Sequence, residues 1–326
     1  MPNKSALLKL TYFWAFIEAG LGGLLHFLHI PVTGFVVGGF AVVLIVLIAK
    51  YSNNNFRIII NSLSLVLMIK FLLSPYSPYG AYIAVGFQGV LAALIFSTGR
   101  INRLTISIFS ILVMIESAIQ KPLLAWLILG NDFWKATILF MKSTFGLSLN
   151  SVENIALLLF ALYLLVYIVW GVIIALWAKK ISDSIEFISI NSREIENLKK
   201  KILLEKENNA SRKSLARNIV FVILLLILVA ALLYTKLLST EYLLRLLFVG
   251  FILFVLIPFL LKLYRKYLLK KDDKKLAEIL NAIPEIKQNT LVAYELVKPV
   301  RSLKSMRDFM GYSIWLNVFY DEKKKL

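Results

Sequence analysis

The sequence has no cysteine and only two histidines among its 326 residues. It therefore has no disulfide, no thiolate metal ligand and no thiol nucleophile, and His26 and His29 alone make a poor metal site. Charged residues make up 17% of the chain, whereas soluble domains contain about 25%. Hydrophobic residues make up 59%, and runs such as 219–233 have no polar stripe. This composition excludes a soluble globular fold.

Continuous apolar runs of about 20 residues predict an all-α integral membrane protein. We predict eight transmembrane helices, six followed by two, at 8–29, 32–49, 58–74, 79–98, 104–128, 153–178, 219–236 and 242–261. The amphipathic stretch 130–150 is predicted to lie along the outer membrane interface. Composition then divides the chain into a six-span domain (1–178), a charged cytosolic helical linker (179–217) and a two-span hairpin with a cytosolic amphipathic tail (218–326).

The distribution of basic residues predicts the orientation of the chain in the membrane. The connections after the second, fourth and sixth spans contain Lys50, Arg57, Arg100, Arg103, Lys179 and Lys180. Both termini are therefore predicted to face the cytoplasm. As a separate expectation, the membrane is the plasma (inner) membrane of a prokaryote. The net charge of +18 indicates contact with anionic lipid at the cytoplasmic face, and we expect no nucleic-acid partner.

Ionisable side chains inside membrane spans are costly and indicate function by default. Lys70 and Glu116 each lie 13 residues beyond a basic loop residue, about 20 Å into the membrane at 1.5 Å per residue, so we predict that they form an ion pair. The candidate substrate-binding residues are Glu18, Lys70, Gln88, Glu116 and Gln120, which would form a polar pocket open to the outside. The alternative is one structural ion pair with Glu18 bonded to backbone. Neither interpretation requires a metal or a cofactor.

The sequence contains no phosphate-binding loop of the GxxxxGK[ST] type, no HExxH motif and no GxSxG motif. We therefore predict that the chain is not an enzyme. An intramembrane lipid- or isoprenoid-modifying enzyme, with Glu18 or Glu116 as the acid/base, stays open as an alternative.

The cytosolic tail has the periodicity of amphipathic helices. We predict one helix that begins near Asp272, a second at 284–298 that begins at Pro284 and is ended by Pro299, and a third, basic helix. The third helix carries Arg301, Lys304 and Arg307, three residues apart. These helices either lie on the inner leaflet or dock into grooves of a soluble partner.

The segment IPEIKQNTLVAYELVKPVRS resembles the coupling-helix region of the T component of energy-coupling factor (ECF) transporters, with Val300-Arg301-Ser302 at the place of an Ala-Arg-Gly-like tripeptide. Residues 1–178 resemble the S component of the same transporters, since Ala15 and Ala19 are similar to its AxxxA motif. This resemblance implies that Ala15 and Ala19 contact a transporter partner, and that Arg301, Lys304 and Arg307 face cytosolic ATPase subunits.

Together these observations predict a membrane transport component. Its N-terminal domain would bind a small vitamin-like or precursor molecule from outside, and its tail would couple that domain to separate ATPase subunits. The alternative is a non-transporting membrane scaffold whose basic tail recruits a protein partner or anionic lipid.

Overall fold

The computed structural model describes residues 4–27, 33–74, 77–99, 101–145, 149–188, 190–203, 274–298 and 302–320. Every secondary-structure element within these ranges is a helix. Five helical segments there are long and apolar enough to span a membrane, at Thr33–Tyr51, Phe56–Leu73, Tyr79–Phe96, Arg103–Gln120 and Leu157–Phe187. For the described residues, the prediction of a helical fold with several helices long and apolar enough to span a membrane is thus confirmed. The predicted spans at 219–236 and 242–261 lie outside the described residues.

We number the described α-helices in chain order. They are α1 (Lys4–Phe16), α2 (Gly22–Phe27), α3 (Thr33–Tyr51), α4 (Phe56–Leu73), α5 (Tyr79–Phe96), α6 (Arg103–Leu129), α7 (Asn131–Phe145), α8 (Leu149–Ser184), α9 (192–203), α10 (Lys274–Val297) and α11 (Leu303–Val318). Helix α7 lies within the amphipathic segment predicted at 130–150. Helix α9 lies within the linker, 179–217, whose pattern was predicted to be helical.

The chain forms two compact units, Met1–Ile190 with Ala293–Leu326, and Asn191–Val292. This division differs from the boundaries at 178 and 218 expected from composition, because α11 belongs to the same unit as the N-terminal helices. Composition records where charge and hydrophobicity change along the chain. It does not record which distant segments pack together.

Helix α3 occupies the centre of the first unit and contacts α1, α5, α6 and α8. Its residues from Val37 to Ala49 are all buried. The sequence explains this placement, because the helix has no charged residue before Lys50, and a helix that is apolar on all sides is buried within a bundle.

A short polar cluster joins α3 to α8 at one end of the bundle. Lys50 Nζ donates to the Ser182 carbonyl at 2.7 Å and lies 3.3 Å from Glu186 Oε1. The Tyr51 hydroxyl donates to the same carboxylate at 2.7 Å. We call this end, which contains Lys50, the basic end of the bundle. Arg57, at the start of the next helix α4, follows Lys50 closely in the sequence.

The first predicted span, 8–29, is interrupted. A π-helical turn at Ile17–Leu21 separates α1 from α2, and the Gly22 N–H donates to the Ile17 carbonyl five residues earlier. Gly20, Gly22 and Gly23 follow Glu18 in the sequence, and glycine is a weak helix former. Single π turns within α-helices are frequent at functional sites. This one contains Glu18.

The most extensive helix–helix interface of the first unit joins α6 to α8. It depends on Gly171, where an added Cβ would lie 3.0 Å from the Ile111 Cα. The Ser110 hydroxyl donates to the Gly171 carbonyl at 2.7 Å across this interface. A side chain at position 171 would therefore meet backbone, which cannot move aside as a flexible side chain can.

Two features of the tail differ from expectation. Helix α10 continues through Pro284, so the prediction that Pro284 begins a new helix is wrong. A proline inside a helix removes one backbone hydrogen bond, and here that loss does not end the helix. The helix ends at Val297, just before Lys298 and Pro299, as predicted, because the residue before a proline disfavours the helical conformation.

Helix α11 packs against α1. The sequence had instead predicted that this helix lies on the inner leaflet or docks into a soluble partner. The helix begins with a capping box formed by Ser302 and Ser305. Its buried face carries Met310, Ile314 and Trp315, whereas the prediction for this helix concerned only its basic residues. The Phe319 ring, at the C-terminal end of α11, also contacts α3, because its centre lies 5.4 Å from the centre of the Tyr51 ring. One face of α11 is thus covered by the protein itself.

Candidate functional site

The centre of the candidate site is an ion pair between Glu18 and Lys70. Lys70 Nζ donates to Glu18 Oε2 at 2.8 Å, and the two side chains are 1% and 4% exposed for Lys70 and Glu18 respectively. The prediction that Lys70 pairs with Glu116 is therefore wrong. Lys70 and Glu116 lie at equal depth, but equal depth does not determine the direction in which each side chain points. Helix α4, which carries Lys70, packs against α1 and the π turn rather than against α6, which carries Glu116.

An aromatic ring adds to the electrostatic environment of Lys70. The ammonium nitrogen lies 5.8 Å from the centre of the Tyr82 ring. The Tyr82 hydroxyl donates to the Ser74 carbonyl at 3.0 Å, which holds the ring between α4 and α5. A cation at this distance is attracted to the face of an aromatic ring. Lys70 is thus stabilised by a carboxylate and by a ring.

A polar cavity of about 60 Å³ adjoins the ion pair. Four of the five predicted substrate-binding residues line it, namely Glu18, Lys70, Gln88 and Gln120. The remaining lining comes mainly from α3, α5, α6 and α8 and consists of Thr33, Gly34, Val37, Gly38, Ala81, Ala84, Ser117, Tyr163 and Tyr167. The structure thus brings four of the five predicted substrate-binding residues together around one cavity.

Two buried oxygens on this cavity lack a donor from the described part of the protein. They are Glu18 Oε1 and Gln88 Oε1, and both residues are 3% exposed. A buried acceptor without a hydrogen bond costs about 1–3 kcal/mol. The cavity therefore favours a solute or water that donates hydrogen bonds to these two oxygens.

Close packing of α3 against α6 shapes one wall of the cavity. A Cβ added at Gly34 would lie 3.0 Å from the Ser117 Cβ, and one at Gly38 would lie 3.3 Å from the Met114 methyl group. Gly34 and Gly38 lie four residues apart in the sequence, a spacing of small residues typical of closely packed membrane helices. Ser117 was missed altogether, because a single serine in a membrane helix has no distinguishing pattern.

Tyr163 and Tyr167 were also missed. They lie four residues apart on α8, so they share one face of that helix, and their rings are 4.9 Å apart. The Tyr163 hydroxyl donates to the Ala118 carbonyl at 3.2 Å. Their spacing within an otherwise apolar span is the signal that could have identified them.

Glu116 lies outside the polar cavity and lines a second space, an apolar groove between α5 and α6 with a volume of about 490 Å³. Its Oε2 atom is buried, and no described group donates to it. Gln120 lines both spaces, and its amide nitrogen donates to the Gly80 carbonyl. Glu116 is thus absent from the lining of the polar cavity, and Gln120 is the predicted residue that lines both spaces.

The predicted partner-binding residues have different environments. Ala15 and Ala19 are buried inside the first unit. Lys304 is exposed, whereas Arg307 is half-buried and its Nε donates to Asp308 Oδ1 at 2.9 Å. Arg301 lies outside the described residues. Of the three basic residues, Lys304 alone is observed with an accessible side chain.

No family model, curated protein or solved structure matches this chain. The resemblance to ECF transporters therefore rests on the few residues quoted for it. The function proposed below depends on the geometry of the polar cavity.

Proposed function

We propose that this protein is a membrane transport component that binds a small polar solute in the cavity beside Glu18 and Lys70. The observation that carries the proposal is the pair of buried oxygens, Glu18 Oε1 and Gln88 Oε1, on a cavity that also contains an ammonium group. Charged residues within membrane spans characteristically belong to substrate or ion pathways. A solute with both donors and acceptors would complement this set of groups.

The size of the cavity limits what it holds in this conformation. Ligand pockets for drug-sized molecules have volumes of about 300–1,000 Å³. A cavity of about 60 Å³ holds a few water molecules or a solute of a few heavy atoms. A vitamin-like molecule would fit wholly inside the cavity only after the surrounding helices separate. We therefore propose that a solute too large for this cavity binds in it only together with a movement of these helices.

Replacing Gln88 with leucine tests the proposal. Leucine keeps the approximate volume of the side chain but removes the amide, so we expect a solute bound to the cavity to be lost. The wild type and the variant are purified from native membranes in mild detergent, and their bound small molecules are identified by mass spectrometry. We expect about tenfold less of the solute with the variant, the effect of about one lost hydrogen bond to a buried group.

The matched control is Ser97→Ala, since Ser97 follows the same helix, is exposed and bonds only locally to the Leu94 carbonyl. It should retain the solute. Equal recovery of every small molecule from the wild type and from Gln88→Leu, with both proteins folded, would contradict solute binding in this cavity.

The tail provides the proposed coupling to ATPase subunits. We propose that Arg301 and Lys304 form the contact, because α11 packs one face on the bundle while Lys304 remains exposed. Combining Arg301→Glu with Lys304→Glu should abolish co-purification of ATPase subunits and leave solute recovery unchanged. Lys298→Glu, which reverses an exposed charge 3.5 Å from Glu295, is the control. Unchanged co-purification with the double variant would contradict this contact.

One observation favours the alternative, a non-transporting scaffold in the same membrane. Glu18 and Lys70 neutralise each other, and the cavity beside them is small. In a scaffold they would serve only to hold α4 against the π turn, and the tail would bind a protein partner or anionic lipid. Recovery of lipid alone from every variant would favour this function.

A further inference from the structure

We propose that the groove between α5 and α6 receives the hydrocarbon chain of an amphipathic amine from the lipid bilayer, and that Glu116 binds its ammonium group. The inference rests on the proposed function, since it names the class of substrate that would reach the polar cavity. It also names a lateral route to that cavity, through the side of the bundle.

The groove has the size and lining of a site for a hydrocarbon chain. Its volume of about 490 Å³ lies within the usual range of ligand pockets. Apart from Glu116 and Gln120, its lining is entirely apolar and consists of Ile83, Phe87, Leu112, Ile115, Ile119, Leu123 and Leu127. Ile83 and Leu127 are 60% and 67% exposed, so the groove opens on the outer surface of the helix bundle.

Glu116 indicates the chemistry of the head group. Its buried Oε2 atom has no donor among the described residues, and Lys70, the buried cation of the polar cavity, already donates to Glu18. A carboxylate facing hydrocarbon is costly unless it is paired. An ammonium group supplies both the opposite charge and the missing donors. A fatty acid would instead place a second negative charge beside the first.

The depth of Glu116 distinguishes a single-chain amine from an ordinary phospholipid. Glu116 lies 13 residues along α6 from Arg103, which corresponds to about 20 Å from the basic end. The hydrocarbon core is about 30 Å thick, so the carboxylate lies about 10 Å inside the opposite surface. A phosphate-bearing head group would have to leave the interface to reach it. A primary amine is small enough to do so as part of an ion pair.

Gln120 connects the groove with the polar cavity. Its side chain lines both spaces, and its amide nitrogen is held by the Gly80 carbonyl of α5. Because its side chain lines both spaces, rotation of Gln120 is the proposed link between Glu116 and the cavity. An amine bound at Glu116 would then reach the oxygens of Gln88 and Glu18 while its chain stayed in the groove. This arrangement explains how a small polar cavity serves a larger substrate.

The test uses a photoreactive analogue of dodecylamine, with a diazirine in its chain, on the full-length protein in phosphatidylcholine nanodiscs. The matched probe is the same chain with a carboxylate head group. After irradiation, the labelled peptides are mapped by mass spectrometry. We expect the amine to label α5 and α6 at the groove, and Glu116→Gln to lower that labelling about tenfold, as expected for loss of a charge-assisted hydrogen bond. The carboxylate probe should label the groove weakly in both proteins.

Filling the groove gives an independent measurement. Leu112→Trp places a large ring in the groove and should reduce labelling by the amine. The control is Leu165→Trp, at a position on α8 that is 52% exposed and away from the groove. It should leave labelling unchanged.

The outcomes separate this inference from the proposed function. Equal labelling by the two probes, unaffected by Glu116→Gln, would overturn the inference and make the groove a surface for lipid chains. A solute that depends on Gln88 would still support the proposed function in that case. Labelling that depends on Glu116, without any solute that depends on Gln88, would support the groove site and contradict binding in the polar cavity.

Discussion

Replacing Lys70 with methionine is expected to lower the free energy of unfolding by about 3–5 kcal/mol, because it leaves the buried Glu18 carboxylate without its partner. Both side chains are almost fully buried and their charged atoms are 2.8 Å apart. The Glu18 carboxylate would then be an unpaired charge in an almost fully buried site. We expect this to be the largest effect of any single substitution in the described bundle.

Lys179→Met is the matched control. Lys179 forms an ion pair of similar length with Asp183, 2.7 Å, but its side chain is 30% exposed and that of Asp183 is 57% exposed. Exposed pairs contribute about 0–1 kcal/mol, so this variant should be close to the wild type. Stability is measured by denaturant-induced unfolding of the purified protein in mild detergent. Similar losses for Lys70→Met and Lys179→Met would contradict the burial of the Glu18–Lys70 pair.

The double variant Glu18→Leu with Lys70→Met distinguishes a structural pair from a binding site. Replacing a buried ion pair by apolar residues is often neutral or stabilising, so this protein should fold. If the pair belongs to a solute site, the folded double variant should have lost the solute that the wild type retains. Retention of the solute would assign the pair to structure alone.

Gly171→Ala is expected to destabilise the protein by about 1–3 kcal/mol, the usual cost of overpacking a core. The new Cβ would lie 3.0 Å from the Ile111 Cα, so α6 and α8 would have to move apart. That movement would also strain the hydrogen bond from Ser110 to the Gly171 carbonyl.

Gly86→Ala provides the control with the opposite sign. It lies within α5, where an added Cβ meets no atom of the described residues within 4 Å. Alanine is a better helix former than glycine by about 0.5–1 kcal/mol, so this substitution should stabilise the protein slightly. The same unfolding measurement serves both variants. A stabilising Gly171→Ala would show that α6 and α8 are farther apart than the structure has them.

Helix positions and types followed well from the sequence. The spans predicted at 32–49, 58–74, 79–98 and 104–128 correspond to α3, α4, α5 and α6 with small differences at their ends. Hydrophobic run length is a local property, and in a membrane it nearly decides the helix, because the backbone must satisfy its own hydrogen bonds. The same reasoning could not find the π turn, which depends on one extra residue in a helical turn.

The partners of the buried groups did not follow from the sequence. The number of residues along a helix gives only the depth of a side chain in the membrane, and Lys70 and Glu116 have the same depth. The choice between Glu18 and Glu116 depends on which helices are neighbours and on which way each side chain points. Helix α4 lies against α1 and the π turn, so Lys70 binds Glu18 and Glu116 is left at the groove.

By itself, the sequence determined that this chain is helical, that several helices can span a membrane and that a few costly polar groups lie within them. These are properties of composition and of short segments. The tertiary structure alone decided that Glu18 pairs with Lys70, that a small polar cavity and an apolar groove meet at Gln120, and that α11 packs on the bundle. Each of these contacts joins residues far apart in the chain, and their choice depends on how whole helices pack.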